Sequence, residues 1–456
     1  MIINLTNLMR LVQKVFLFYF ATCLVIGCAP KNHVTRSYVS DQLKKQSGFD
    51  LTVSKQPGRL DLPPNLLTTD GINEDEAIGI ALWNNAQFQA DLVSISIAHA
   101  DVIDAGVVSN PLLRYLSPNA GIMASGYINF AFDFLWLRPK RIAAASLEAE
   151  RVSGNMVQRG FALIRDVQIS FTDMQFARDK AAILAENARI RAEMNRLANV
   201  RLRYGEISEL EALTFRADSA SAVDQSIKAN LDTILQRNRL YSFLGFAPDT
   251  TLSFHLMKDT LLNQKISKNQ YLELASEFQP ELKAARLAIE AAGKRLGWER
   301  SRILAFTAVL NYEHIESGGK NKWIPNAFNP GFQVEIPILN RNQGKIARAK
   351  AEIEQASFLY VALRQRIALD VTDAYNRYEE TYKSYESWNN GVIPSLEEAV
   401  RLVQLSYERG DISYLPVLEA LRQLVNGKLR MAEIESELRR SISQLNYSIG
   451  NKLEVK

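Results

Sequence analysis

The sequence Arg203-Tyr-Gly-Glu-Ile-Ser-Glu-Leu-Glu-Ala-Leu213 recurs, at an offset of 205 residues, as Glu408-Arg-Gly-Asp-Ile-Ser-Tyr-Leu-Pro-Val-Leu418. Upstream, Arg141-Ile-Ala-Ala-Ala-Ser-Leu-Glu-Ala-Glu150 matches Lys345-Ile-Ala-Arg-Ala-Lys-Ala-Glu-Ile-Glu354 at an offset of 204 residues. Two separate matches at nearly the same offset indicate a tandem duplication, which covers about residues 71–250 and 265–450.

Each copy predicts the same order of elements: a helix, two short strands, a very long helix, a tight turn and a shorter helix. Residues 140–204 and 345–409 would each form a helix about 97 Å long, and 72–107 and 208–244 would form helices of about 54 and 55 Å. Apolar residues of the second long helix recur in steps of three and four, which is a coiled-coil repeat: Ile346, Ala349, Ile353, Ala356, Tyr360, Leu363 and Ile367. We therefore expect a rod-like bundle in which one continuous helix pairs with two stacked ones.

The turns after the long helices have clear local signals. Gly205 and Gly410 stand where a helix C-terminus favours a left-handed residue. Ser208 with Glu211 has the pattern of a capping box, and Ser413 is the matching N-cap residue. The sequence predicts a helical hairpin tip at each position.

The predicted strands alternate apolar and polar residues. Ile128, Phe130, Phe132, Phe134 and Trp136 alternate with Asn129 and Asp133, and Phe332, Val334, Ile336 and Ile338 alternate with Gln333 and Glu335. Half-buried strands of a soluble sheet show this pattern, and so do transmembrane β-strands. The N-terminal signal and the polar loops Ser117–Gly126 and Glu316–Asn329 favour the membrane. Four strands cannot close a barrel in lipid, so two copies or three would have to share one.

The N-terminus reads as an export signal. Arg10 and Lys14 precede the apolar stretch Val15–Ile26, which ends in Val25-Ile26-Gly27-Cys28. This order is typical of a secretory signal peptide rather than of a membrane anchor. The last four residues resemble a bacterial lipobox, which implies lipid attachment at Cys28 through palmitate-type acyl chains.

Composition excludes several other classes of protein. The 456 residues carry a net charge of +4, which gives no reason to expect nucleic acid as a partner. The two cysteines, Cys23 and Cys28, exclude a disulfide framework in the body. The histidines are scattered, and we find no metalloprotease, phosphate-binding or nucleophile-elbow motif. We expect neither an enzyme nor a cofactor or metal site.

These features resemble the TolC family of outer-membrane efflux proteins over nearly the whole mature chain. Ile336-Pro-Ile-Leu-Asn-Arg-Asn-Gln-Gly-Lys-Ile-Ala347 is similar to the outer-membrane component of cobalt–zinc–cadmium efflux systems. The resemblance implies a mainly α fold with transmembrane β: a long coiled-coil α-barrel plus four β-strands per chain, with a homotrimer closing a 12-stranded β-barrel. It also implies a periplasmic membrane-fusion adaptor that links the tips to an inner-membrane RND-type pump.

The expected function is the passive exit duct of a tripartite efflux pump for metal ions or small toxic compounds, lipid-anchored in the outer membrane. The alternatives are a duct for type I protein secretion and a non-channel periplasmic coiled-coil lipoprotein scaffold. The expected segments are a signal peptide (1–27), an N-terminal periplasmic segment (28–70), the two repeats (71–250 and 265–450), an equatorial linker (251–264) and a tail (451–456).

Candidate site residues follow from the tips and the strands. The candidate docking residues for the adaptor are Gly205, Ile207, Ser208, Leu210, Gly410, Ile412, Ser413 and Leu415, which could equally be capping and packing residues. Glu206, Glu209 and Asp411 are candidate carboxylates at the periplasmic mouth, although a solvated turn would also explain them. We expect Asp133 and Glu335 to face the barrel lumen, and the strand residues Phe130, Phe132, Phe134, Trp136, Phe332, Val334 and Ile336 to face lipid.

Overall fold

The computed structural model describes residues 34–51, 71–117, 124–247, 250, 252–255, 266–314 and 327–452. The predicted signal peptide and Cys28 lie outside these residues, as does most of each strand-connecting loop. The described helices are α1 (Arg36–Ser47), α2 (Glu74–Asn84), α3 (Ala86–Gly106), α4 (Phe134–Arg203), α5 (Glu209–Leu244), α6 (Lys268–Phe278), α7 (Pro280–Ser301), α8 (Gln343–Ser387), α9 (Ile393–Glu408) and α10 (Tyr414–Ile449). The strands are β1 (Leu112–Leu116), β2 (Ala124–Ala131), β3 (Phe306–His314) and β4 (Ala327–Val334).

The order of elements in each half agrees with the prediction, but the first helix of each half is broken. Asn85 and Gln279 adopt extended backbone conformations between α2 and α3 and between α6 and α7. The Asn85 side chain caps α3 by accepting from the Phe88 amide at 2.9 Å and donates to the Phe243 carbonyl at 3.1 Å. The prediction of a single helix over 72–107 is therefore wrong. An asparagine side chain bonds to backbone groups more readily at the end of a helix than inside one, and Asn85 does so here.

The long helices are close to their predicted extents. Helix α4 has 70 residues, which corresponds to about 105 Å. It begins six residues before the predicted start, with Pro139 in its second turn. The second long helix is interrupted: a π-helical turn, Trp388–Val392, separates α8 from α9. The prediction of one uninterrupted α-helix over 345–409 is thus wrong at this turn.

Both hairpin tips have the predicted glycine turn. Gly205 and Gly410 have φ values of 73° and 81°, in the left-handed region. The following residues, Glu206 and Asp411, donate backbone bonds to the Arg201 and Ser406 carbonyls at 3.0 Å in each tip. These bonds span five residues, as in a Schellman motif.

The four strands form one antiparallel sheet in the order β1-β2-β3-β4. Strand β2 stops at Ala131, and β4 stops at Val334, so both are shorter at their C-terminal ends than predicted. Backbone contact continues for one step beyond each strand, where Phe132 donates to the Phe306 carbonyl and Glu335 to the Ala305 carbonyl.

The chain divides into two compact units. One contains Val93–Asn155 and Glu281–Ala362 together with the segment up to Tyr38, and it carries the sheet. The other contains Val39–Leu92, Met156–Pro280 and Leu363–Lys456, and it carries both hairpin tips. Near the tips, its core is a cluster of buried apolar side chains: Ala198, Phe215, Val400, Val417 and Leu421. The boundaries of the two sequence repeats stay a prediction.

Candidate functional site

The register of the sheet gathers most of its apolar side chains on one face. Directly paired residues of neighbouring strands lie on the same face of a sheet. Leu113, Ile128, Leu310 and Pro330 form one such row, and Phe130, Ala308 and Phe332 form another. Residues two positions apart along a strand lie on the same face. The apolar face therefore also contains Tyr115, Phe306, Tyr312 and Val334. The other face is mixed, with the polar residues Arg114, Ser125, Tyr127, Asn129, Thr307, Asn311 and Gln333 beside the apolar residues Leu112, Leu116 and Val309.

The apolar face is well ordered by aromatic contacts yet largely uncovered. The Phe306 and Phe332 rings stack with centroids 5.6 Å apart, and Phe132 meets Phe306 edge-on at 6.3 Å. Phe332 is nevertheless 72% exposed, and Leu113 is 71% exposed. Apolar patches of this kind usually mark contact with another molecule or with lipid.

Several predicted strand residues lie elsewhere. Phe134 and Trp136 belong to the first turn of α4, and Phe134 is buried, so their assignment to a strand is wrong. Asp133 lies in the turn before α4, where its carbonyl accepts from the Leu137 amide at 3.0 Å. The alternating pattern runs on past Ala131, but these backbone bonds start a helix there.

Two further residues lie beyond β4. Glu335 is the first residue after the strand, and Ile336 follows it with 75% exposure. The predicted strand continues through both, but Pro337 carries no N–H to donate to a ladder and limits its extent. Whether Phe130, Phe332 and Val334 face lipid, and whether Asp133 and Glu335 face a lumen, stays a prediction.

The candidate docking residues at the tips fall into two groups. Leu210 and Leu415 occupy equivalent positions in the two repeats and are both exposed, at 76% and 69%. Ile207 and Ile412, also equivalent, pack against the buried cluster near the tips. The Ser208 hydroxyl accepts from the Glu211 amide at 3.2 Å, whereas Ser413 makes no side-chain cap bond. The leucines are thus the large apolar side chains of the set that are exposed.

The candidate mouth carboxylates are accessible as well. Glu206, Glu209 and Asp411 are all exposed. The Glu206 carboxylate lies 3.9 Å from Arg201 Nε, which is a loose ion pair at the end of α4. Such exposed pairs contribute little to stability, and a role of these carboxylates at a channel mouth stays a prediction.

Sequence reasoning missed a buried ion pair in the first hairpin. Arg191 of α4 pairs with Asp218 of α5, and its guanidinium also donates to the Asn187 side chain at 3.0 Å. The Arg191 side chain is only 7% exposed. The sequence offered no signal for this pair, because the partners lie on different helices and their spacing fits no motif.

No helix in the described part of the chain is both long enough and apolar enough to cross a membrane. Among the same residues, no group of three or more His, Cys, Asp and Glu side chains is arranged to hold a metal ion.

Comparison with known proteins finds a family profile and relatives that are similar to this chain. The profile of the family described as "Outer membrane efflux protein" matches residues 271–451, a range that contains most of the predicted second repeat. The chain is similar to this family over that part of its length. Outer-membrane efflux proteins are channels rather than enzymes, with a large periplasmic part. The chain is also 22% identical to the cobalt-zinc-cadmium resistance protein CzcC of Cupriavidus metallidurans over 380 residues, covering 82% of the chain and 89% of CzcC.

A second relative and two solved structures are also similar to the chain. The chain is 21% identical over 403 residues to nodulation protein T of Rhizobium leguminosarum bv. viciae, covering 82% of the chain and 81% of that protein. The crystal structure of CusC superposes with a TM-score of 0.70 and 19% identity, covering 89% of the chain and 99% of CusC. The MtrE outer membrane channel of Neisseria gonorrhoeae superposes with a TM-score of 0.67 and 17% identity, covering 89% of the chain and 97% of MtrE. The fold is therefore that of these channels, mainly helical with a small sheet.

Proposed function

We propose that this outer-membrane efflux protein is the homotrimeric exit duct of a tripartite pump that expels metal ions or small toxic compounds. The observation that carries the proposal is the sheet, which combines an uncovered apolar face with two edge strands. In the sheet order of the described residues, β1 and β4 each have a neighbour on one side. Unpaired backbone groups cannot remain in lipid, so the edges need partners.

Other copies of the chain are the simplest partners for these edges. Strands alternate in direction across the sheet, so β4 of one copy and β1 of the next would also meet antiparallel. Three copies with four strands each would close a 12-stranded barrel. The number three rests on the likeness to the channel family.

The hairpin tips supply the contact with the rest of the pump. Leu210 and Leu415 expose apolar side chains that a periplasmic adaptor would cover, and the other candidate docking residues shape the turns beneath them. The adaptor would in turn connect the duct to an energy-consuming pump in the inner membrane. Lipid attachment at Cys28 would tether the mature chain to the outer membrane.

The proposed cargo is cationic. Repeated by threefold symmetry, Glu206, Glu209 and Asp411 would surround the periplasmic mouth and concentrate cations there. The name of the relative CzcC, a cobalt-zinc-cadmium resistance protein, supports metal ions as the cargo class.

A cross-linking experiment tests the shared barrel. Tyr115→Cys in β1 is combined in turn with Pro330→Cys, Phe332→Cys or Val334→Cys in β4, all on the apolar face. Oxidation should give disulfide-linked dimers and trimers in at least one combination. Gln333→Cys, on the opposite face, is the matched control and should cross-link less. Monomers alone in every combination would rule out the shared barrel.

Two functional measurements complete the test. The purified protein should conduct ions in planar lipid bilayers, with cations passing more readily than anions, and Glu206→Gln with Asp411→Asn should weaken that preference. A strain of the source organism that lacks the gene should become sensitive to Co²⁺, Zn²⁺ or Cd²⁺. Absence of conductance would refute the duct, and unchanged metal tolerance would refute the cargo.

A further inference from the structure

The two repeats differ in length by one residue, and the difference can be located. Glu148 and Glu352 are equivalent positions at an offset of 204, whereas Gly205 and Gly410 are equivalent at an offset of 205. The offset then stays constant, because α5 and α10 both have 36 residues and end at Gly245 and Gly450. The second repeat therefore carries one extra residue between positions 354 and 408.

The extra residue coincides with the π-helical turn. Trp388–Val392 interrupts the long helix within this interval, and the Ile393 amide bonds to the Trp388 carbonyl five residues before it. One inserted residue would rotate an α-helix beyond it by about 100° and advance it by 1.5 Å. A π turn takes up that residue locally, so α9 keeps the orientation that its packing needs.

The equivalent segment of the first repeat is an unbroken part of α4. Residues 184–188 there include Leu184, Asn187 and Ala188, which are all buried. Leu184 belongs to a core cluster with Ala181 and Ala229. By contrast, no residue of Trp388–Val392 is buried. At this level the long helix of the first hairpin, its arm, is therefore held by buried side chains, whereas the arm of the second hairpin is not.

Local chemistry weakens the second arm further. Pro394 has no N–H, so the helix loses one backbone hydrogen bond just after the turn. Gly391 lies in the turn, and glycine costs the least to move away from helical geometry. The Ser395 hydroxyl donates to the Gly391 carbonyl at 2.8 Å, a bond of the kind that tends to bend a helix.

Helix α10 has a matching adaptation. A Cβ added at Gly427 would lie 2.6 Å from Leu396 Cδ1, so the missing side chain lets α9 pack closely beside the turn. The equivalent residue of the first repeat is Ala222, which is buried and does carry a Cβ. The two hairpins thus differ on both helices at the same level.

We propose that the π turn is a compliant joint in the arm of the second hairpin. It lets the tip around Gly410 adjust to its docking partner, whereas the tip around Gly205 is held on an unbroken helix. The docking half of this inference rests on the proposed function, but the joint itself does not. The partner would then meet two kinds of tip on each chain, one rigid and one adjustable.

Amide hydrogen exchange on the full-length protein tests the joint. Residues 386–393 should exchange about tenfold faster than the equivalent residues 182–189 in the same sample, because exchange reports local opening. Equal exchange rates in the two segments would overturn the proposal.

Two single-residue deletions test the insertion. Deleting Asn390 should remove the π turn, leave the protein folded and slow exchange over residues 386–393 compared with the unaltered protein. Deleting Glu186, the equivalent exposed residue of α4, should shift the register of that helix and abolish folded protein. Loss of folded protein in both variants would contradict the insertion.

Site-specific photo-cross-linking in intact cells tests the role in docking. A photoreactive residue at Leu210 or at Leu415 should cross-link the adaptor in the unaltered protein. Deleting Asn390 should reduce the cross-link at 415 and leave the one at 210 unchanged, which a general loss of stability would not do. No cross-link at either position would refute the docking proposal, while the exchange data would still decide the joint.

Discussion

Arg201, in the last turn of α4, donates through Nη1 to the Tyr407 hydroxyl oxygen at 2.7 Å. Its guanidinium also lies 4.7 Å from the centre of the Tyr407 ring. Tyr407 lies in the last turn of α9 and packs against the apolar cluster near the tips. Burial raises the pKa of Tyr407, and the nearby Arg201 charge partly offsets this. One arginine thus joins the ends of the two long arms just before both glycine turns.

Replacing Tyr407 should separate the two parts of this contact. Tyr407→Phe keeps the ring and removes the hydrogen bond, which should cost about 1 kcal/mol for a partly buried bond to a charged group. Tyr407→Leu also removes the cation–π contact and should cost about 1 kcal/mol more. Thermal unfolding followed by circular dichroism measures both. If Tyr407→Phe melted like the unaltered protein, the hydrogen bond would have no role in stability.

The Arg191–Asp218 pair should contribute more than the surface pairs. Asp218→Ala leaves a buried guanidinium without its carboxylate, which costs about 3–5 kcal/mol when both partners are fully buried. Asp218 is 27% exposed, so we expect about 2–3 kcal/mol after solvent screening. The control is Asp224→Ala, which breaks an exposed pair with Lys228 and should cost at most about 0.5 kcal/mol. Equal losses of stability in the two variants would contradict this ranking.

The sheet should tolerate charge on one face only. Phe332→Arg places a guanidinium on the apolar face, where lipid contact would cost about 2–4 kcal/mol near the bilayer midplane. Gln333→Arg, at the neighbouring position, places it on the polar face and should cost much less. The amount of heat-modifiable trimer in outer-membrane fractions measures both variants. Similar trimer levels would show that the two faces have similar surroundings.

The parts of the fold that follow from local rules could be predicted from the sequence. Gly205 and Gly410 were identifiable because a left-handed residue after a helix strongly favours glycine. The alternation around Phe130 and Phe332 indicated which residues share a face, since a strand repeats every two residues. Both features depend on residues next to each other in the chain.

The parts that depend on distant groups could not be predicted. The break at Asn85 is stabilised by the Phe243 carbonyl, 158 positions away. The end of β2 was hidden because Phe134 and Trp136 continue the apolar alternation into a helix. The π turn leaves only a change of offset from 204 to 205, which does not say where in the arm the extra residue lies. At the tips, nothing in the sequence alone separates exposed Leu210 from packed Ile207.

Tyr271 should make stability fall at alkaline pH. It is fully buried in α6, with its ring 5.6 Å from that of Tyr375. Burial, followed by repulsion from Tyr378 and Tyr375, raises the pKa of Tyr271 from 10.0 to about 12. A raised pKa means that folding favours the neutral phenol. Its contribution is therefore complete below about pH 10, the unfolded value, and is lost as the pH rises through about 12.

Tyr271→Phe removes the titrating hydroxyl and keeps the ring. The loss of stability between pH 10 and 12 should then be smaller, by about 2–3 kcal/mol for a shift of this size. The measurement is the difference in unfolding temperature between the two proteins at pH 9, 10, 11 and 12. Tyr204→Phe, at an exposed position on the first tip, should not reproduce the effect. A difference that stays constant across this range would mean that the phenol ionises as readily in the folded chain as in the unfolded one, so that burial does not hold it neutral.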